Sequence, residues 1–150
     1  MARTRKRSEQ SAMNKETNDS PPTLFPYLSY RDASAALDWL AETFGFAKTV
    51  DFRDEEGNVM HAEMSFGNGA IMLGTATVDQ PAESHRNVPA EHGIYVYVAD
   101  VDAHYQRALA AGAHIVFPPE DTEWGTRRYR ALDPEGYEWS FGNYRPNPNA

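Results

Sequence analysis

Apolar and polar positions along this chain fall into two runs of the same design. Residues 24–30 alternate as a half-buried strand does, and Arg31-Asp32 then hands over to Ala35, Ala36, Trp39, Leu40 and Phe44, spaced along one face of a helix until Gly45. Residues 49–53 read as a strand and 54–58 as a turn. Segments 59–66 and 70–74 read as a hairpin about Asn68-Gly69, a dipeptide that tolerates the positive φ angles of tight turns. The second run repeats the order: strand 93–98, helix 100–111 closed by Gly112, strand 115–117, then strands 126–132 and 137–142 around Asp133-Pro134-Glu135-Gly136.

Asp32 and Asp100, each at a strand-to-helix passage, lie 68 positions apart, and the hairpin glycines Gly69 and Gly136 lie 67 apart. A period this long exceeds the 20 to 50 residues or so of solenoid repeats. It predicts one duplicated βαβββ module, an α+β domain at about 23–150 with modules near 23–78 and 91–144, and a cupped mixed sheet with the helices on its outer face.

Strand parity assigns the faces. A two-residue loop at Asn68-Gly69 pairs Phe66 with Ile71 and Met64 with Leu73, so that Met64, Phe66, Ile71 and Leu73 meet the helix while His61, Glu63, Ser65 and Met72 face away. Leu28, Ile94, Val96, Val98, Trp139 and Phe141 take the helix side by the same rule. Phe25, Tyr27, Ser29, Tyr95, Tyr97, Glu138 and Ser140 take the other. Pairing across 133–136 adds Arg127, Tyr129 and Ala131 to the face of Glu138. Two such faces set side by side make a concave surface of aromatic and polar groups, the usual character of a small-molecule pocket.

The chain has 150 residues and a net charge of −8, enough for one hydrophobic core. Residues 1–22 are polar, carry +2 and lack the apolar residues needed to offset the entropy of ordering, so they read as a disordered tail with a second candidate start at Met13. The rest carries −10, which argues against a nucleic-acid partner. Without cysteine there are no disulfides, thiolate nucleophiles or cysteine metal sites. No segment has the 18 or so apolar residues of a membrane span, and no secretory signal is evident, so the expected location is the cytoplasm.

The segments PYLSYRDASAALDWLAETFGF, MHAEMSFGNGAIML, VADVDAHYQRALAAGA and WGTRRYRALDPEGYEWSFGNY, in this order, resemble the vicinal oxygen chelate superfamily of glyoxalases, bleomycin- and fosfomycin-resistance proteins and extradiol dioxygenases. The likeness spans about 23–144, and the Trp-Gly-x-Arg segment and Asp-Pro-x-Gly turn look most like the bleomycin-resistance and glyoxalase-like branches. The resemblance implies metal ligands on the first and last strand of each module, here Phe25, Met72, Gly93 and Ser140, none a usual ligand of a divalent metal. His92 is one residue from Gly93 and points to the opposite side of its strand. The resemblance also implies a homodimer whose subunits complete each other's cups.

Several chemistries then compete for the cup. His61, Glu63 and Glu138 are candidates for a noncanonical metal site or for a general acid and base, which would make the protein a lyase or isomerase. Tyr27, Tyr95, Tyr97 and Trp124, with Phe25, Met72, Tyr129 and Ser140, offer flat walls and hydroxyls to a ligand, and Arg127 offers an anion clamp. GNGAIMLG joins two strands and opens no helix, so it is not a phosphate loop. There is no GxSxG elbow, and Ser29, Ser65 and Ser140 lack an evident His partner. His85, His104 and His114 read as solvated or structural. The reading that results is a metal-independent, cofactor-free protein binding a small organic molecule in an aromatic cup, with cationic or neutral aromatic ligands favoured by Glu63 and Glu138. A partner-binding subunit whose cup is filled by another chain is the remaining alternative.

Overall fold

A computed structural model of the protein describes residues 22–76 and 93–146. The N-terminal tail, Met13, His85 and His92 lie outside the described residues. The order of elements is β1 (Tyr27–Tyr30), α1 (Ala33–Phe44), β2 (Ala47–Arg53), β3 (Val59–Phe66), β4 (Gly69–Thr75), then β5 (Gly93–Tyr97), α2 (Val101–Ala110), β6 (His114–Asp121), β7 (Arg127–Leu132) and β8 (Glu138–Gly142). Two βαβββ modules are present, each a four-stranded mixed sheet, ordered β1-β4-β3-β2 and β5-β8-β7-β6. No helix among the described residues is long and apolar enough to cross a membrane.

Both helices start in the same way. Asp32 accepts from the backbone N–H of Ala35 and Asp100 from that of Ala103, each at 3.0 Å, satisfying one of the N–H groups that a helix start leaves open. The helix α1 ends at Gly45, whose φ of +88° lies in the left-handed region that a side chain would strain. Its buried stripe runs through Ala33, Ala36, Leu37, Leu40 and Phe44. Ala35, expected on that stripe, is exposed and Trp39 is half-buried, so the stripe is rotated toward Leu37.

The first hairpin turns at Gly67-Asn68 instead of Asn68-Gly69, because Gly67 takes the positive φ (+57°). Phe66 therefore opposes Gly69, and Met64 opposes Ile71. The shift from the expected register is two residues, an even number, so no side chain changes face: Ala62, Met64, Ile71 and Leu73 are buried while His61, Glu63 and Met72 stay half-exposed.

The second hairpin differs by one residue, and its faces swap. Asp133 Oδ1 accepts from the N–H groups of both Glu135 and Tyr137, and the Asp133 N–H donates to the Tyr137 carbonyl, which draws Tyr137 into the turn. Leu132 then opposes Glu138, and Tyr129 opposes Phe141. Tyr129 and Ala131 are fully buried under α2, and Arg128 and Arg130 share the other face with Glu138 and Ser140. The strand β6 continues past the expected 117 through Pro118 and Pro119. It is an edge strand, where a missing N–H breaks no ladder, and its register slips between Phe117 and Glu120.

The helix-side surfaces of the two modules share one core. Phe44 packs against Trp139 and Phe141 at ring distances of 5.6 and 4.7 Å, and Phe46 packs against Phe66 and Trp139 at 5.2 and 5.4 Å. Phe44, Trp139 and Phe141 are fully buried, each contributing about 1.5–3 kcal/mol.

Module 2 also closes both ends of α1. The Glu135 carboxylate accepts from the N–H groups of Arg31 and Asp32 at 2.6 and 3.0 Å. Arg107 donates to the carbonyls of Ala41 and Glu42, and His104 donates to that of Phe44. A carboxylate at the start of a helix and a guanidinium at its end both match the sign of the helix dipole.

Candidate functional site

The faces turned away from the helices carry the tyrosines, as the alternation predicts. On module 1, Tyr27, Met72 and Glu63 lie in one row across β1, β4 and β3. Next to them, His61 Nε2 and Glu63 Oε2 are 2.7 Å apart. On module 2, Tyr95 opposes Ser140 and Tyr97 opposes Gly142. A repeated device flattens both faces. A Cβ on Gly74 would stand 3.1 Å from the Tyr27 hydroxyl and 2.9 Å from the Met60 carbonyl, and one on Gly142 would stand 2.8 Å from the Tyr95 hydroxyl and 3.1 Å from the Arg127 carbonyl. Each tyrosine hydroxyl thus sits over a glycine of the last strand in its own module. The Tyr95 hydroxyl also donates to the carbonyl of Tyr144.

Several expected contributors lie elsewhere. His61 and Glu63 are on the first sheet and Glu138 on the second, and no group of three His, Asp or Glu side chains among the described residues is placed to hold a metal. Glu138 instead pairs with Arg130 at 2.6 Å, while its Oε2 is buried with no hydrogen-bond donor, which keeps it a contact candidate. Arg127 is no free clamp: it binds Asp102 of α2 at 2.9 Å and Asp121 at 3.0 Å, and the hydrogen bonds that it donates to these two carboxylates raise its pKa while Asp102 is held below the usual carboxylate range. Tyr129 lies in the core with its hydroxyl 2.6 Å from His104 Nδ1, and burial raises its pKa. Trp124 is a largely exposed turn residue, and Phe25, ahead of β1, is 44% exposed.

The superfamily's metal does not fit the four corresponding positions. Met72 offers only a thioether and Gly93 no side chain, Phe25 has no donor, and the Ser140 hydroxyl already accepts from Arg130 Nε at 2.9 Å.

Residues expected on the helix side or outside the site complete the picture. Arg128 and Arg130 stack their guanidinium groups on Phe117 at 5.6 and 5.1 Å; their alternation with Tyr129 and Ala131 was the available signal. His104, expected to be solvated or structural, is structural, and burial lowers its pKa. A cleft of about 940 Å³ opens between the modules. The tip of the first hairpin, the strand β5 with Tyr95 and Tyr97, and the α2 residues Asp100, Ala103, His104 and Arg107 line it, together with Arg145. The α2 residues recur at helical spacing and form one stripe.

Comparison with known proteins agrees with this architecture. Residues 24–141 match the model of the Glyoxalase/Bleomycin resistance protein/Dioxygenase superfamily, and the chain belongs to that family. It is 34% identical over 126 residues to protein Mb0911c of Mycobacterium bovis, covering 81% of this chain and 82% of that protein. Among solved structures it resembles TioX from Micromonospora sp. ML1, with a TM-score of 0.67 and 33% identity over 83% of this chain and 99% of that one. A family enzyme from Burkholderia phytofirmans PsJN shares the fold, with a TM-score of 0.63 at 20% identity over 79% of this chain and 94% of that one.

Proposed function

We propose that this protein binds a small organic molecule, holding its flat part against Tyr95 and Tyr97 in the cleft between the modules, and that it does so without metal or catalysis. The observation that carries this reading is the cleft itself, a space of drug-like volume walled by tyrosines and by apolar residues such as Phe46, Phe66 and Ile94. Binding is favoured over acid–base chemistry because His61, Glu63 and Glu138 are divided between two sheets and Glu138 is neutralised by Arg130. The protein works as a cytoplasmic homodimer in this reading, in which a second copy would cover the exposed side chains of Tyr27, Phe52 and Met60 on module 1.

Thermal unfolding against a panel of planar aromatic compounds tests the reading. A ligand at about 100 times its dissociation constant adds roughly 2.7 kcal/mol, a shift of several degrees for a domain of this size. Tyr97→Ala is expected to remove most of that shift. A panel without any stabilising compound, or a shift unchanged in Tyr97→Ala, argues against the cleft. Sedimentation of the full chain at micromolar concentration is expected to give a dimer.

A further inference from the structure

The cleft carries a charge that the chain as a whole does not. Arg31, Arg53, Arg127, Arg128 and Arg130 each reach a carboxylate oxygen at 2.6 to 3.7 Å. Arg107 and Arg145, alone among the described arginines, reach no carboxylate among the described residues, and both line this cleft. In a protein with 22 acidic and 14 basic residues, two guanidinium groups in one concavity with no counter-ion among the described residues stand out.

Each is held in place by something other than an anion. Arg145 lies over the ring of Tyr97 at 3.9 Å, a contact that orients a guanidinium while leaving its edge open. Arg107 spends Nε and Nη2 on the carbonyls of Glu42 and Ala41. The group packs against Gly45, where a Cβ would stand 3.1 Å from Nη1, and Arg107 is exposed, with no hydrogen bond from Nη1 among the described residues. The one carboxylate in the lining, Asp100, is engaged at the start of α2. The two glutamates expected to set the charge preference do not line the cleft: Glu63 pairs with His61 and Glu138 with Arg130.

Building on the ligand-binding reading above, we infer that the cleft takes an aromatic molecule bearing an anionic group, a carboxylate above all, with its ring beside Tyr95 and Tyr97 and its charge shared by Arg145 and Arg107. A guanidinium presents parallel N–H groups that match the two oxygens of a carboxylate. This reverses the cationic preference expected from the sequence.

Three probes of one shape test it: 2-naphthoate, 2-naphthamide and 2-naphthylmethylammonium, titrated into the full chain by calorimetry with thermal unfolding in parallel. The carboxylate is expected to bind at least ten-fold more tightly than the amide, and the ammonium most weakly. Arg145→Gln, on an exposed segment that no core contact depends on, is expected to bring the carboxylate-to-amide ratio close to one. Arg107→Gln is expected to do the same in part, and its melting curve shows whether the module junction has survived. Equal affinity for carboxylate and amide, or a ratio unmoved by Arg145→Gln, overturns the anionic assignment and leaves the ligand reading standing. If no probe binds at millimolar concentration, the cleft is not a ligand site and both readings fall.

Discussion

His104 Nε2 lies 2.8 Å from the carbonyl oxygen of Phe44, 60 residues away, and joins the second helix to the last turn of the first. A carbonyl only accepts, so Nε2 carries the proton, and Nδ1 is left to accept from the Tyr129 hydroxyl at 2.6 Å. With Arg107 one turn further along α2, His104 satisfies carbonyls that the end of α1 would otherwise leave open. The modules are thus joined by backbone groups of one helix and side chains of the other, around the aromatic contact of Phe44 with Phe141.

That arrangement makes stability depend on pH. Burial lowers the pKa of His104, with Arg107 acting in the same direction and the Phe44 hydrogen bond opposing it. The unfolded chain takes up a proton at this residue near pH 6.5, where the folded protein does not. The contribution of the neutral form is therefore present above about pH 6.5 and is lost as pH falls from there through the lowered native value. The melting temperature is expected to drop between pH 7 and pH 5, and to drop less in His104→Gln, whose amide keeps a donor toward Phe44 but does not titrate. Parallel melting curves for the two proteins across that range would count against the argument.

Asp133 is the second link between modules. Its carboxylate accepts from the Tyr30 hydroxyl at 2.7 Å, from Trp139 Nε1 at 3.0 Å and from two backbone N–H groups, and it is 4% exposed. Four donors converge on two oxygens, so Asp133→Asn would turn an amide N–H₂ toward donors on one side. The expected loss is about 2–4 kcal/mol, from the buried donors left unmatched, seen as a lower urea midpoint. A loss below about 1 kcal/mol would mean that the network rearranges freely.

The flattened tyrosine faces give a paired test. Gly74→Ala and Gly142→Ala each push a methyl group against a backbone carbonyl and a tyrosine hydroxyl, and each is expected to cost about 1–3 kcal/mol. Adding Tyr95→Phe to Gly142→Ala removes the shortest of three close contacts, leaving the Arg127 carbonyl and a ring carbon each at 3.1 Å, and is expected to recover part of the loss beyond that of the Tyr144 hydrogen bond. Chemical denaturation of the single and double variants measures it.

Glu135 holds the start of α1 from the other module. Replacing it with Ala leaves the N–H groups of Arg31 and Asp32 without their acceptor, at an expected cost of about 1–2 kcal/mol, since these groups can turn to water. Amide exchange would locate the effect, with faster exchange at 31 and 32 and unchanged rates in β7. Uniform acceleration throughout the chain would instead indicate global loosening.

The sequence determined the module and its repetition, because both are local: apolar spacing distinguishes strand from helix, Asp32 and Asp100 mark the two helix starts, and Gly45 ends α1 where only a left-handed residue fits. It also determined which face Met64 and Glu63 take, because face depends on parity and the misplaced Asn68-Gly69 turn was wrong by an even number. Parity failed where the Asp133 side chain set the length of the turn. Asp133, held by Tyr30 from the other module, pulls Tyr137 into the loop, shifts β7 by one residue, and exchanges Tyr129 for Arg130 on the outer face. How the modules meet was decided by tertiary structure alone, since the partners of Phe44, His104 and Arg107 lie 60 to 97 residues away and no local pattern names them. For the same reason the candidate site moved from a convergence of His61, Glu63 and Glu138 to a cleft whose two arginines stand out only once every other described arginine has found a carboxylate.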